Sequence, residues 1–271
     1  MAAPLRVMAY NLFEGGFGGG GRQLDLIASV LRAARPDVLA LCEAHGLEDP
    51  RRFTDFAAAV GLRGIVAPAA SGFHLALMAR PPHSVVAFAA ADVGGLNPVG
   101  AGCVRVRGLG DLDVIVAHLD YRSALARQHE VESICGAISS DRPCLVLGDL
   151  NALSHRDELT RRDLLALPLH HVERHVDEVG DVQCGATRRL EAAGFVDAWK
   201  AIHPDSPAAD GWTVPTALPM PPHFGGMRID YVFASAMLAP RLLACDPWRE
   251  SPAERASDHY PVVAQVALDA P

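Results

Sequence analysis

Lysine is nearly missing from this sequence: Lys200 is the only one, and every other basic side chain is arginine. Basic residues number 24 against 32 acidic ones, a formal net charge of −8 with histidine neutral. A broad basic face for nucleic acid is therefore disfavoured, since such affinity comes largely from Lys and Arg neutralising phosphates. A local basic pocket stays open. The cysteines are few and scattered (Cys42, Cys103, Cys135, Cys144, Cys184, Cys245), with no C-x-x-C pair. That spacing argues against a disulfide framework and against a thiolate zinc site. No stretch approaches the ~18 consecutive apolar residues that cross a bilayer. The first ten residues lack a basic run followed by an apolar one, so the expectation is no signal peptide, no membrane partner and a cytoplasmic location.

What the sequence does have is length and apolar content. Its 271 residues are 50% hydrophobic and 21% charged, which excludes disorder as the main state and supplies a sizeable core. Strands are expected at Leu5–Leu12, Asp37–Cys42, Phe73–Ala79, Val85–Ala89, Val104–Arg107, Leu112–Ala117, Cys144–Leu147, Arg228–Ala234 and Tyr260–Leu268. Asp37–Cys42 is a continuous apolar run, typical of a strand buried on both faces. Helical spacing links Leu24, Ile27, Ala28 and Leu31, then Phe53, Phe56, Ala57 and Val60, then Val131, Ile134, Cys135 and Ile138. Residues 155–194 read as mainly helical, and Pro204–Pro222 as a long loop. The glycine-rich Gly15–Gly21 stretch reads as a surface loop or a flap beside Asn11; it lacks the Gly-Lys-Ser/Thr of a P-loop. Consecutive strands without intervening helices favour a mixed sheet over a purely parallel one. No linker divides the chain, so a single domain spanning 1–271 is expected.

Polar residues close these strands. Asn11 ends the first, Glu43 follows the buried Asp37–Cys42 run, and His118 ends Leu112–Ala117. Cys144–Leu147 runs into Gly148-Asp149-Leu150-Asn151. Asp230 lies within Arg228–Phe233, and Ser257-Asp258-His259 precedes the last strand. Carboxylates, amides and imidazoles at six strand ends point to one polar site on one sheet edge.

Met8-Ala-Tyr-Asn11, Asp37-Val-Leu-Ala-Leu-Cys-Glu43, His118-Leu119, Gly148-Asp-Leu-Asn151, Arg228-Ile-Asp-Tyr-Val-Phe233 and Ser257-Asp-His259 together resemble the endonuclease/exonuclease/phosphatase superfamily, in the order that superfamily carries them. The resemblance implies an α/β (α+β) four-layer sandwich of two packed mixed β-sheets flanked by helices. It further implies a divalent-metal-dependent hydrolase of phosphoester bonds using Mg²⁺ or Mn²⁺. Asn11, Glu43 and Asp258 would hold the metal; His118, Asp149, Asn151, Asp230 and His259 would carry the chemistry. Asp149 would orient or deprotonate water, Asn151 and His118 would donate to the phosphoryl group, and Asp230 would pair with His259.

Physical chemistry supports those roles. Hard oxygen ligands suit Mg²⁺ or Mn²⁺, and a carboxylate beside histidine favours the imidazolium, which can stabilise a developing oxyanion. Asp149 and Asn151, two apart, share a face if the strand continues through them; otherwise they form a turn. Alternation sends Cys42 to the opposite face from Glu43, into the core. Phe13 stands where some nucleases of the superfamily carry an acid, which favours one principal metal over two. His74, Arg80, Arg122 and Arg228 are further candidates for substrate contact, each with a structural alternative. His171 and His175 share a helical spacing with zinc sites but lack the H-E-x-x-H order. Net acidity points to a phosphorylated small-molecule substrate; DNA endonuclease or exonuclease activity is the alternative, with a catalytically inactive binding member as the third reading.

Overall fold

The computed structural model describes residues 3–16, 23–91, 93, 97–138, 141–159, 161–164, 169–218 and 225–268. Its strands are β1 (Leu5–Asn11), β2 (Val38–Cys42), β3 (Arg63–Ala67), β4 (Leu75–Ala79), β5 (Ser84–Ala91), β6 (Val99–Val106), β7 (Gly110–His118), β8 (Cys144–Asp149), β9 (Phe195–Asp197), β10 (Asp230–Ser235), β11 (Leu242–Pro247) and β12 (Val262–Val266). They form two six-stranded sheets, ordered β11-β12-β1-β2-β4-β3 and β5-β6-β7-β8-β10-β9. The helices are α1 (Gln23–Ala34), α2 (Pro50–Val60), α3 (Ala124–Ala137), α4 (Arg161–Leu164), α5 (Leu169–His175), α6 (Gly185–Ala192), α7 (Ala198–Ile202) and α8 (Ala253–Ala256). None of the described helices is long and apolar enough to cross a membrane.

Burial explains the layering. Every residue of β2 and β4 is buried, because each strand is covered on both faces. One face of each sheet turns toward the other sheet. Val7, Ala9, Val38, Cys42 and Leu77 there pack with Val114, Val116, Leu145, Leu147 and Val232. The opposite face of the first sheet (Met8, Tyr10, Leu39, Leu41) packs on Ile27, Leu31, Phe56 and Ala256 from α1, α2 and α8. The opposite face of the second (Ile115, Ala117, Val146, Phe233) packs on Val131, Ile134 and Leu190 from α3 and α6. At ~1.5–3 kcal/mol per buried aliphatic or aromatic side chain, these three layers of contact dominate stability.

The topology sets the site. Each sheet contains one parallel pair joined through a helix: β1 with β2 through α1, and β7 with β8 through α3. All four strands end at the same end of the molecule, where antiparallel β10 starts opposite Asp149 and the chain turns into β12. Gly148 is required by this packing: it has φ +139°, and a Cβ there would lie 2.1 Å from the Ala117 carbonyl oxygen.

Most expected elements are present, with shifted ends. Segment 73–79 starts as a strand only at Leu75, and Val104–Arg107 proves to be the end of the longer β6. The described residues of 155–194 hold a 3-10 turn at His155–Asp157, the short helices α4, α5 and α6, and an isolated bridge between Val176 and Val182. Asp230 opens β10 instead of lying inside it. Most of the Gly15–Gly21 stretch falls outside the described residues; Gly15 and Gly16 belong to a 3-10 turn.

Candidate active site

Asn11, at the end of β1, is the hub between the two sheets. Its Nδ2 donates to Glu43 Oε1 at 3.2 Å and to Asp149 Oδ2 at 3.0 Å. Its Oδ1 accepts the Phe13 N–H at 3.0 Å, which settles which end of the amide points where. Glu43 stands just past β2 at φ +53°, and the Glu14 N–H donates to its Oε2 at 2.8 Å. Such a backbone is uncommon outside glycine and costs on the order of 1–3 kcal/mol, a strain often found at functional positions. Cys42 lies in the core between the sheets, its Sγ donating to Ala117 O at 3.4 Å, and burial holds its thiol protonated. The core reading of that residue stands.

From the second sheet, His118 Nε2 reaches 3.7 Å from Asp149 Oδ2 and 3.9 Å from Glu43 Oε1. His259 Nε2 approaches Asp149 Oδ2 at 3.8 Å, while its Nδ1 pairs with Asp230 Oδ2 at 2.8 Å. The Asp230–His259 pair expected from the sequence is therefore present and buried. Asn151 is at φ +46°, because β8 ends at Asp149. Its N–H donates to Asp149 Oδ1 at 2.9 Å and its Nδ2 to Leu119 O at 3.1 Å. The strand does not continue through Asn151, so the alternation expected on that condition is replaced by an Asx turn, leaving one amide hydrogen of Asn151 for another acceptor.

The structure thus brings Asn11, Glu43, His118, Asp149, Asn151, Asp230, Asp258 and His259 to one place. They lie between two sheets, however, and the expectation of one sheet edge is corrected: Asn11 and Glu43 come from the first sheet, His118, Asp149 and Asp230 from the second.

Charge is unbalanced here. Burial, then the neighbouring Asp230, raise the Asp149 pKa, against the pull of His259 and His118. Burial, with Glu43 and Asp149, pushes Asp258 up to about 6. Burial opposes the charge on His259, yet Asp230, Asp258 and Asp149 overcome it and raise its pKa well above 6.5. Carboxylate oxygens of Asp149 and Asp230 and a ring nitrogen of His259 lie within 4.8 Å of one another. A surplus of crowded oxygen donors is what a hard divalent cation relieves. The donor set suits a divalent cation.

A pH test follows. The folded state holds the Asp258 proton more tightly than the unfolded chain, whose value is near the ordinary 3.8. Its stabilising contribution is complete below that value and is lost as pH rises through about 6. In chelator, Asp258→Asn should melt with the parent near pH 4 and above it at pH 7. A melting difference that ignores pH contradicts the assignment.

Several supporting residues had no role assigned from the sequence, Ser257 among them although it stands in a recognised motif. Ser257 Oγ donates to Asn11 O at 2.8 Å and accepts the His259 N–H. Thr213 Oγ1 accepts the Asp230 and Ile229 N–H groups. Phe73 packs edge-on against both His118 and His45, with centroids 5.4 and 5.2 Å apart. Its neighbour His74 accepts the Ala69 N–H and faces Glu48 at 3.4 Å, so it closes a local turn and stays out of the cluster. Arg80 donates to the Pro36, Gly61 and Val60 carbonyls and Arg228 is buried on Asp157 and Asp197; both are structural. The side chains of His170 and His171 lie outside the described residues, and His175 is not among the grouped ligands.

Two helix-flanked mixed sheets with a polar centre where their parallel strands end are the architecture of phosphoester-cleaving sandwiches. A family model described as Endonuclease/Exonuclease/phosphatase family matches residues 8–259, and the chain belongs to that family. Solved structures share the fold. An AP endonuclease from Archaeoglobus fulgidus superposes with TM-score 0.72 at 18% identity, covering 97% of this chain and 99% of that one. D. rerio TDP2 complexed with single strand DNA product gives TM-score 0.68 at 15% identity, covering 98% and 100%. An endonuclease/exonuclease/phosphatase from Beutenbergia cavernae gives TM-score 0.66 at 22% identity, covering 98% of this chain and 72% of that one. No curated protein matches the sequence.

Proposed function

We propose that the protein is a divalent-metal-dependent phosphodiesterase or phosphatase acting on a small or soluble phosphorylated substrate through in-line attack of water. The observation that carries this reading is Asp149 Oδ2, flanked by His118 Nε2 and His259 Nε2 at 3.7 and 3.8 Å. It is a buried carboxylate of raised basicity beside two groups able to face phosphoryl oxygens. Asp149 accepts a proton from the attacking water as the oxygen–phosphorus bond forms and the leaving-group bond breaks. Asp230 holds the Nδ1–H of His259, fixing the ring and keeping it charged, so that Nε2–H donates to the developing charge. His118 Nε2 and the free amide hydrogen of Asn151 donate to non-bridging oxygens. Glu43 and Asp258 would hold the cation, which would supply Lewis-acid neutralisation of the phosphoryl group. Asn11, expected as a third ligand, turns its Nδ2–H to Glu43 and Asp149 and its Oδ1 to the Phe13 N–H, so it positions those carboxylates.

His259→Ala is expected to lower kcat by ~10²-fold or more, the loss of one preorganised charge-stabilising donor. Near-normal turnover would mean the imidazole has another role. Chelation should abolish hydrolysis of bis(4-nitrophenyl) phosphate, and Mg²⁺ or Mn²⁺ should restore it; turnover indifferent to chelator refutes the metal assignment.

A DNA endonuclease or exonuclease is the second reading, supported by the likeness to a TDP2 complexed with single strand DNA product. Plasmid nicking compared with phosphate release from small mono- and diesters separates the two.

A further inference from the structure

Three residues past His118, two guanidiniums lie against the Tyr121 ring. Arg122 Cζ lies 5.0 Å and Arg174 Cζ 5.1 Å from its centroid, and Arg122 Nε donates to Tyr121 Oη at 2.9 Å. Among the described residues neither guanidinium has a carboxylate within 4 Å, although acidic side chains outnumber basic ones in this protein by 32 to 24. Cation–π contact with the ring offsets only part of the cost of bringing the two together. Two like charges close together repel, and burial together with Arg122 depresses the Arg174 pKa.

The arrangement is also built from beneath. Arg127 is buried, and spends its donors on two main-chain carbonyls: Asp120 O at 2.9 Å and Arg174 O at 2.7 Å. One belongs to the loop that carries Tyr121 and Arg122, the other to α5, which carries Arg174. Asp120 Oδ1 accepts the Arg122 and Ser123 N–H groups at 2.7 and 2.8 Å, and Glu130 Oε2 accepts the Asp120 N–H at 2.9 Å. The loop is joined to the catalytic edge at Leu119, whose carbonyl takes the Asn151 amide. Three residues of chain place Tyr121 at most about 10 Å from His118.

We infer that Tyr121, Arg122 and Arg174 form a subsite for a second phosphate of the substrate, on the loop that leaves the catalytic edge just after His118. Guanidinium forks match phosphate oxygens, and the Tyr121 ring, which both guanidiniums contact, holds them side by side. This inference rests on the phosphoester reading and narrows it to substrates with more than one phosphate. Two sources share that chemistry: a nucleic-acid strand and a small bisphosphate.

Both can be titrated calorimetrically into Asp149→Asn protein in Mg²⁺, which keeps the ligand intact. The probes are a single-stranded deoxydecamer and fructose 1,6-bisphosphate, each measured with and without Arg122→Gln, and with Arg122→Gln/Arg174→Gln. At least one probe should bind, and lose about tenfold in affinity per arginine removed. For the decamer, the salt slope should also fall by about 0.7 per contact. A loss seen with the decamer alone assigns the subsite to a strand; a loss with the bisphosphate assigns it to a small substrate. The inference is overturned if neither probe binds, or if the variants bind as the parent does. Arg122 is exposed, so its single variant serves if the double variant melts early. Turnover of bis(4-nitrophenyl) phosphate by the unsubstituted protein tests the hydrolase reading separately, since that compound has no second phosphate.

Discussion

Asp149→Asn is expected to lower kcat by at least about 10³-fold and, in chelator, to raise the melting temperature. The kinetic loss combines two effects, removal of a proton acceptor (~10²–10⁴-fold) and removal of fixed charge from the reacting centre. The stability gain has an electrostatic origin. Asp149 is buried near Asp230, and that neighbourhood raises its pKa, so keeping it ionised costs the fold stability that a neutral amide recovers. Asparagine is isosteric, and its one oxygen can still accept from Asn11 or from the Asn151 N–H. Opposite signs for activity and stability are the mark of a residue kept for chemistry. Residual turnover within tenfold of the parent, or a fall in melting temperature with lost activity, would assign Asp149 a structural part.

How much of this was legible beforehand follows from burial. β2 and β8 are covered on both faces, so Val38–Cys42 and Cys144–Leu147 read as unbroken apolar runs, while Arg6 interrupts β1. The strands not anticipated, β3, β9 and β11, are all edge strands or next to nothing on one side. β3 and β11 each bury one residue, the rest being exposed or half-buried, and β9 has only three residues. The front of β6 was hidden by Gly100 and Gly102. A Cβ at Gly100 would lie 2.4 Å from the Phe88 ring, and one at Gly102 2.7 Å from Ala87 O, so those glycines mark close strand packing where composition suggests a turn.

The site was legible because its donors terminate strands that were themselves legible. Asn11, Glu43, His118 and Asp149 stand where four apolar runs stop, and chain topology does the rest. That logic does not reach residues acting through one hydrogen bond. Thr213 lies in a proline-rich stretch whose composition says only loop, and its role depends on the Asp230 N–H being 3.2 Å away. Phe73 is an ordinary apolar residue until His118 is found against it. Nor does sequence reveal which arginines are buried.

Arg228 makes that last point measurable, because Arg228→Ala is expected to destabilise the protein by about 3–5 kcal/mol. As a candidate phosphate contact it stood beside Asp230, in a motif otherwise devoted to the site. The structure buries it instead. Nη2 and Nε donate to Asp157 at 2.8 and 3.2 Å, and Nη1 reaches Asp197 Oδ2 at 2.8 Å. The guanidinium lies over Tyr231 and Trp199, at 4.5 and 5.0 Å from their centroids. Burial alone would discharge it, but Asp197 leads the groups that hold it charged. Removing the side chain leaves two buried carboxylates with Lys200, 3.8 Å from Asp157, as the nearest remaining cation. One carboxylate, Asp197, also caps α7 through the Trp199 and Lys200 N–H groups. At roughly 2–4 °C per kcal/mol for a chain near this size, the melting temperature should drop by about 10 °C. Arg228→Met alone should fare little better, since it fills the space without neutralising the acids, whereas adding Asp157→Leu and Asp197→Asn should recover much of the loss. A phosphate-binding arginine behaves the other way: KM rises and the melting temperature holds. Assayed well below its transition, Arg228→Ala should keep the parent's KM, and a tenfold rise in KM at unchanged stability would return Arg228 to the substrate.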